Sequence, residues 1–269
     1  MPQPLEGRTI ALAESRQLSE LAALLESEGA TALRCPMLSI LDLPDPAAAL
    51  AWINELIAKP FDYTIFLTGE GVRRLTGVAE GGGLKVDFVA ALGRSRMVTR
   101  GPKPVRALRE LALAPTLVAS TPTTTGLIDC LKPHELQGQR VGVQNYPGAP
   151  PALDEFLRSQ GAQLRAIVPY IYAPDADADR VAELIRAMSD GRVDAIVFTS
   201  SPQVDRLFEV ARDRGLEAQL APGWERTRVA SIGPVVGENL RRRGVRVDIV
   251  PDQGFVMKNL VQHIRRAFV

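Results

Sequence analysis

Short apolar segments alternate with longer amphipathic segments along almost the whole chain. The apolar runs predict strands at residues 8–13, 63–67, 86–92, 116–119, 140–144, 195–199, 229–232 and 247–250. Helical spacing of apolar residues predicts helices at 18–29, 45–58, 105–111, 123–131, 151–161, 181–188, 203–214, 237–243 and 256–268, with another starting at 71–75. Strands separated by helices indicate βαβ units, so the chain is expected to be α/β with parallel sheets.

The chain also contains an internal repeat. Residues 62–75 (DYTIFLTGEGVRRL) align without a gap with residues 194–207 (DAIVFTSSPQVDRL). Residues 7–13 (GRTIALA) align with 138–144 (GQRVGVQ), and residues 89–93 (VAALG) are matched with 229–233 (VASIG). Because the repeat is too long for a solenoid, it predicts two similar α/β domains with a cleft between them.

Composition narrows the function. The 269 residues suggest two domains, and 32 basic against 31 acidic residues argue against a nucleic-acid partner. No apolar run is long enough to span a membrane, and the first residues lack a secretory signal pattern. Cys35 and Cys130 form no disulfide framework, which favours a cytoplasmic protein, and their spacing from His134 and His263 predicts no metal site. We expect a monomer.

Nucleotide-binding motifs are incomplete. Gly69-Glu-Gly71 follows a predicted strand, but Arg74 stands where a dinucleotide fingerprint needs its third glycine. No phosphate-binding loop of the G-x-x-x-x-G-K-[ST] type occurs in the sequence. No cofactor is therefore expected.

Several predicted strand-to-helix junctions are rich in hydroxyl residues and glycine. Each could simply cap a helix, but junctions that face one cleft could together bind a ligand with many anionic groups, because helix N-termini attract anions. The basic segment 85–109 is either a solvated face or part of such an anion site. The predicted substrate-binding residues are Thr68, Gly69, Gly71, Arg100, Ser120, Thr121, Gln144, Thr199, Ser200, Ser201 and Gly233.

Tyrosines are the candidate catalytic residues. Tyr146 lies in a strand-end loop (residues 144–148), and Tyr170 and Tyr172 lie in an extended segment bounded by prolines. A buried tyrosine usually belongs to the core, but one near a cleft could donate a proton to a leaving group. Both interpretations stay open for Tyr170 and Tyr146.

Taken together, several of these segments resemble the uroporphyrinogen-III synthase family. They are 196–204 (IVFTSSPQV), 229–234 (VASIGP), 250–251, 258–261 (KNLV), 66–73 (FLTGEGVR), 99–104 (TRGPKP) and 169–170. The resemblance implies two flavodoxin-like domains with parallel sheets, joined by two extended linker strands. The first domain would comprise residues 1–36 and 173–269, the second 42–166, and the linkers 37–41 and 167–172.

The resemblance also implies an activity. The family converts hydroxymethylbilane into uroporphyrinogen III without a cofactor or metal, closing the ring and inverting ring D, and a tyrosine would assist departure of the hydroxyl group. Two positions differ from the family pattern: Glu14 lies where Thr-Arg-Pro is often found, and Val236 where a threonine is often found. The alternative is a non-catalytic relative of the same fold that senses a tetrapyrrole or another anion.

Overall fold

The computed structural model describes residues 3–173 and 178–269. It divides the chain into unit 1, which is Met1–Ser39 with Ala173–Val269, and unit 2, which is Ile40–Tyr172. Residues 1, 2 and 174–177, which belong to the predicted first domain, lie outside the described residues. The separate linker segments at 37–41 and 167–172 stay a prediction.

The structure contains strands and helices in alternation, as the sequence predicts. The strands are β1 (Thr9–Leu12), β2 (Thr31–Arg34), β3 (Ile40–Asp42), β4 (Tyr63–Phe66), β5 (Arg96–Thr99), β6 (Leu117–Val118), β7 (Arg140–Gln144), β8 (Gln163–Ile167), β9 (Tyr170–Tyr172), β10 (Ala195–Phe198) and β11 (Arg228–Ser231). The helices are α1 (Leu18–Glu26), α2 (Ala47–Ala58), α3 (Gly69–Gly81), α4 (Lys85–Gly93), α5 (Pro102–Arg109), α6 (Thr124–Leu131), α7 (Ala152–Ser159), α8 (Ala178–Ser189), α9 (Ser201–Asp213), α10 (Glu217–Arg226), α11 (Pro234–Arg242) and α12 (Met257–Phe268).

Unit 1 is built on a parallel sheet with strand order β11-β10-β1-β2. Helices α8, α9, α10 and α11 contribute apolar side chains to one core cluster, and α1 and α12 contribute to a second one. The predicted strand at 247–250 is reduced to a single parallel bridge between Ile249 and Ala230. The α/β fold with a parallel sheet is therefore confirmed for this unit.

Unit 2 is built on a parallel sheet with strand order β6-β5-β4-β7-β8. Helices α2, α3, α4 and α5 pack in one core cluster, and α6 and α7 pack in another. Strands β3 and β9 form a separate antiparallel pair, in which Asp42 lies opposite Tyr170. The guanidinium group of Arg74 binds β3 at both ends, with contacts of 2.6 Å to the Asp42 carboxylate and 3.2 Å to the Ile40 carbonyl oxygen.

The predicted strand at 86–92 is wrong, because these residues belong to helix α4. Phe88, Ala91 and Leu92 are fully buried whereas Val86 is 82% exposed, which is the one-sided spacing of an amphipathic helix. The strand of this region is β5, whose apolar core is bracketed by arginines.

This correction also changes the third match of the internal repeat. Residues 89–93 are helical and 229–231 are a strand, so the two segments are not equivalent. Residues 96–102 correspond instead to 228–234, because each is a strand followed by a Gly-Pro pair that opens a helix. With this change, the repeat keeps one register from residue 62 to residue 102.

Candidate functional site

The predicted binding residues lie where the parallel strands end. In a parallel sheet all carboxyl ends fall on one side, which we call the carboxyl edge, and ligands of open α/β sheets bind there. Thr68, Arg100 and Gln144 follow or end the strands β4, β5 and β7 of unit 2. Thr199 and Gly233 lie just beyond the strands β10 and β11 of unit 1.

Four predicted residues of unit 2 form one hydrogen-bonded cluster. Thr68 is the N-cap of α3, and its hydroxyl oxygen accepts the Gly71 amide at 2.9 Å. The side-chain oxygen of Gln144 accepts the Thr68 amide at 3.1 Å. The hydroxyl groups of Tyr170 and Thr68 are 3.4 Å apart. Residues far apart in sequence therefore meet at the start of one helix.

The two glycines of this junction are needed for close packing, and their role in substrate binding stays a prediction. A Cβ atom on Gly71 would lie 1.9 Å from the side-chain amide carbon of Gln144. A Cβ atom on Gly69 would lie 2.6 Å from the Lys103 carbonyl oxygen. Gly69 and Gly71 thus let a side chain and a neighbouring helix approach α3.

Arg100 and Tyr146 form a second pair at the same carboxyl edge. The Arg100 guanidinium carbon lies 5.1 Å from the centre of the Tyr146 ring, and its Nη1 atom is 3.5 Å from the phenol oxygen. Such a pair combines a cation–π contact with a weak hydrogen bond. It presents a positive charge beside a phenol.

The two candidate catalytic tyrosines have different surroundings. Tyr170 is only 2% exposed, and its ring packs edge-on against Tyr172 with 5.9 Å between ring centres. Tyr146 is half-buried beside Arg100. A role in proton transfer stays a prediction for both residues.

Ser120 and Thr121 stand apart from these clusters. Both are exposed in the loop between β6 and α6. Helix α6 is capped by Thr123, whose hydroxyl oxygen accepts the Gly126 amide at 2.9 Å. Among the described residues, no hydrogen bond joins the side chain of Ser120 or Thr121 to Thr68 or Arg100.

The corresponding junction of unit 1 contains a glutamine that our sequence analysis does not select. The Gln203 side-chain oxygen accepts the amides of Thr199 and Ser200 at 2.7 and 3.1 Å. Its side-chain nitrogen donates to the Thr199 hydroxyl at 3.0 Å. Ser200 is the N-cap of α9 and Ser201 its first residue. The pattern Ser200-x-x-Gln203 is that of a capping box, so the sequence did carry a signal for this residue.

Glu14 lies in the turn between β1 and helix α1. One of its carboxylate oxygens accepts the backbone amides of Ser15 at 3.0 Å and Arg16 at 2.9 Å. The Thr199 hydroxyl donates to the other oxygen, and Glu14 is 7% exposed. The amides of this turn that could attract an external anion are therefore used by a carboxylate of the chain itself.

Gly233 and Val236 complete the carboxyl edge of unit 1. Gly233 precedes α11, and a Cβ atom placed on it would lie 3.0 Å from the Phe255 ring. Val236, at the family's threonine position, is 5% exposed and packs in the core of the unit. It offers no hydrogen-bonding group there.

A cavity of about 430 Å³ lies at the opposite edge of the unit 2 sheet, where β4 and β5 begin. Tyr63, Arg96 and His134 are among its lining residues, and none of the predicted site residues lines it. Across residues 3–173 and 178–269, no three His, Cys, Asp or Glu side chains are grouped to hold a metal ion. Within those residues, no helix is both long and apolar enough to cross a membrane.

Parallel sheets with polar residues and helix N-termini at their carboxyl edges are typical of α/β proteins that bind small molecules. The family model for uroporphyrinogen-III synthase HemD matches residues 19–262. The chain belongs to the uroporphyrinogen-III synthase family, a family of lyases in tetrapyrrole biosynthesis, and the resemblance read from its sequence is confirmed.

Individual relatives support the same assignment. The crystal structure of a mutant uroporphyrinogen III synthase from Thermus thermophilus is 28% identical and covers 97% of this chain and 98% of its own, with a TM-score of 0.79. An uncharacterized protein of Bacillus subtilis, YjjA, is 32% identical over 94% of this chain and 93% of its own. A Methanothermobacter thermautotrophicus protein provisionally named uroporphyrinogen-III synthase is 27% identical over 90% of this chain and 91% of its own.

Proposed function

We propose that this chain is an active uroporphyrinogen-III synthase, which cyclises hydroxymethylbilane to uroporphyrinogen III with loss of water and inversion of ring D. The observation that best supports this function is the carboxyl edge of unit 2. There the Thr68 cap and the Arg100–Tyr146 pair provide hydrogen-bond donors and a positive charge. A substrate with many carboxylates needs such donors.

The reaction mainly requires that the two ends of the bilane are held in the correct position. The terminal C–O bond of the bilane breaks, and the hydroxyl group leaves as water after it receives a proton. The substituted carbon of ring D then attacks the resulting cation, and rearrangement through a spiro intermediate closes the inverted ring. Holding the two ends of a flexible chain together removes much of the entropic barrier.

We assign the proton donation to Tyr170, whose hydroxyl lies next to that of Thr68. A phenol at this position can donate to the departing hydroxyl group and recover its proton from solvent afterwards. Tyr146, beside Arg100, is the alternative donor on the same carboxyl edge.

A second candidate function is a non-catalytic tetrapyrrole or anion sensor of the same fold. Glu14 favours it, because a carboxylate at the carboxyl edge of unit 1 repels substrate carboxylates. Val236 favours it as well, since an apolar side chain replaces a hydroxyl group there.

The deciding experiment supplies freshly made hydroxymethylbilane to the purified chain and resolves the uroporphyrin isomers after oxidation. The synthase produces isomer III faster than the spontaneous reaction produces isomer I. Chelator, divalent metal or nicotinamide cofactor should leave that rate unchanged. Isomer I alone, together with tight binding of uroporphyrin, would reject the synthase and support the sensor.

A further inference from the structure

In both units a glutamine side chain accepts the backbone amide of the N-cap residue at the strand-to-helix junction, but the glutamine comes from a strand in one unit and from a helix in the other. Gly71 of α3 corresponds to Gln203 of α9 in the match of residues 62–75 with 194–207. Gln144 of β7 corresponds to Ala13 after β1 in the match of residues 138–144 with 7–13. Each unit therefore has one glutamine at this junction and one small residue. The glutamine is on the strand in unit 2 and on the helix in unit 1.

The sheet registers support this correspondence independently of the sequence repeat. In unit 2, Val143 pairs with Ile65 and Gln144 with Phe66. In unit 1, Leu12 pairs with Val197 at the positions equivalent to Val143 and Ile65. The residues that follow these pairs are thus equivalent in space as well as in sequence.

Both glutamines accept a hydrogen bond from the same backbone group. The Gln144 oxygen accepts the amide of Thr68, the N-cap of α3, at 3.1 Å. The Gln203 oxygen accepts the amide of Ser200, the N-cap of α9, at 3.1 Å. Thr68 and Ser200 correspond in the repeat. In unit 1 the glutamine completes a capping box within its own helix, and in unit 2 a strand residue replaces it.

Packing makes the two arrangements mutually exclusive. The Gln144 side chain fills the space that a side chain at position 71 would need, as the 1.9 Å approach to a Cβ atom on Gly71 shows. In unit 1, the equivalent space is left to Gln203 by the short side chain of Ala13. One glutamine fits at each junction, and two would collide.

We propose that Gln144 and Gln203 are interchangeable positioning residues, each of which orients the N-cap residue that a unit presents to the carboxylates of the substrate. This inference rests on the proposed function. Gln144 and Gln203 are buried, and the side-chain oxygen of each already accepts a backbone amide, so we assign them to positioning rather than to direct contact with the ligand. Their effect passes through Thr68 and Ser200, because loss of the acceptor leaves a half-buried amide without its partner and the cap free to turn.

The test is a transplant of the unit 1 arrangement into unit 2. Gln144→Ala removes the acceptor, Gly71→Gln alone forces a collision, and the double variant G71Q/Q144A rebuilds the capping box from the helix. Gly77→Gln is the matched control, because it adds the same side chain to α3 where nothing lies within 4 Å of a new Cβ atom.

Two measurements separate positioning from packing. Hydrogen exchange of the Thr68 amide, followed by NMR, reports whether the cap is held. The dissociation constant for uroporphyrin III, with KM and kcat for hydroxymethylbilane, reports whether the held cap matters to the ligand. In Gln144→Ala we expect faster exchange of the Thr68 amide. The dissociation constant for uroporphyrin III and the KM for hydroxymethylbilane should each rise about 3- to 10-fold, which is the effect of losing one hydrogen bond, and kcat should change little. In the double variant, the exchange rate of the Thr68 amide, the dissociation constant and KM should return to within about 2-fold of the values of the original chain.

Several outcomes overturn the inference. One is a double variant that regains its melting temperature and slow Thr68 exchange but keeps the weakened uroporphyrin binding, which would make Gln144 a ligand contact. Another is a folded Gln144→Ala chain with unchanged affinity, which would leave only a packing role. If the variants of unit 2 fail to fold, the mirror transplant A13Q/Q203G, with Ser200 exchange as the readout, decides in the same way.

The outcomes for the proposed function are distinct. A chain that makes no isomer III fails as a synthase, yet amide exchange and uroporphyrin affinity still report on the glutamines. Failure of the transplant in a chain that makes isomer III overturns the positioning role alone.

Discussion

The carboxyl edges of the two sheets share a backbone plan but carry opposite charges. Unit 2 places Arg100 immediately after its strand β5, beside Tyr146. Unit 1 places Glu14 after its strand β1, where the carboxylate accepts the amides of the turn before α1. A parallel sheet thus fixes where a ligand can bind, whereas one side chain at a strand end decides which charge that ligand meets.

The same reversal is found between helices of the two units. In unit 2, Arg73 of α3 forms an ion pair at 2.6 Å with Glu110, which follows α5. In unit 1, Asp205 of α9 forms an ion pair at 2.7 Å with Arg243, which follows α11. Arg73 and Asp205 correspond in the repeat. Both units thus have an ion pair between these helices, although the acidic and basic partners are exchanged.

The largest expected effect concerns the proton donor of unit 2. Tyr170→Phe removes the hydroxyl beside Thr68 and should lower kcat by about 10²-fold, the lower end for a general acid, because solvent can also protonate the leaving group. Loss of the contact to Thr68 should itself cost little stability, since that contact is long at 3.4 Å. The measurement is turnover of hydroxymethylbilane together with a thermal melt. Unchanged kinetics would transfer the role to Tyr146, with Tyr146→Phe as the next variant.

The positive charge of unit 2 should give the next largest effect. Arg100→Ala removes a guanidinium group from the carboxyl edge, and we expect KM to rise about 10-fold or more, as for one charge-assisted hydrogen bond. Arg94→Ala is the matched control, because that exposed arginine precedes β5 at the other edge of the sheet. Equal effects of the two variants on KM would show that Arg100 acts only through net charge.

The built-in carboxylate of unit 1 should show two opposite effects. Glu14→Ala should lower the free energy of unfolding by about 1–2 kcal/mol, because the turn before α1 loses a charged acceptor for the amides of Ser15 and Arg16. The same change should strengthen uroporphyrin binding, because it removes a negative charge and exposes those amides. Denaturant unfolding and a binding titration measure the two effects. Glu20→Gln, in the exposed first turn of the same helix, is the control.

The smallest expected effect is a pH dependence of stability. The hydrogen bond from Arg73 holds the pKa of the Glu110 carboxyl below its ordinary value. The ion pair therefore stabilises the fold above that ordinary value, and the stabilisation disappears as the pH falls through the lowered pKa. Because the pair is exposed, Glu110→Gln should cost only a few tenths of a kcal/mol at neutral pH. Unfolding curves of both chains should converge in acid and in high salt, and a gap that persists in acid would contradict this origin.

The sequence could predict most elements of the fold, and its main error has a physical cause. The segment 86–92 is apolar enough for a strand, but it lies in helix α4 and only one face of that helix is buried. The real strand β5 is short, begins with Arg96 and lies between Arg94 and Arg100, so its apolar core is hard to recognise. The register of the repeat, carried on from residue 62, would have located it.

The candidate site could be predicted only as far as local chemistry reaches. Thr68 and Ser200 are recognisable as N-caps because the signal lies within a few residues. The contacts of Gln144 with Thr68 and of Glu14 with Thr199 join residues that are 76 and 185 positions apart. Such contacts follow from strand order and register, which residue types alone do not determine.

The antiparallel pairing of β3 with β9 has a consequence for how the chain reaches its fold. Strand β1 must find β10, and Arg8 meets Asp194 across 186 positions of sequence. Such a long closure costs entropy and slows folding. Unit 2 is continuous, so it can fold as soon as it leaves the ribosome, and its paired first and last strands then bring the two parts of unit 1 close together. Folding of unit 2 thereby shortens the effective separation between β1 and β10. It also shortens the time during which the unpaired side of β1 is open to aggregation.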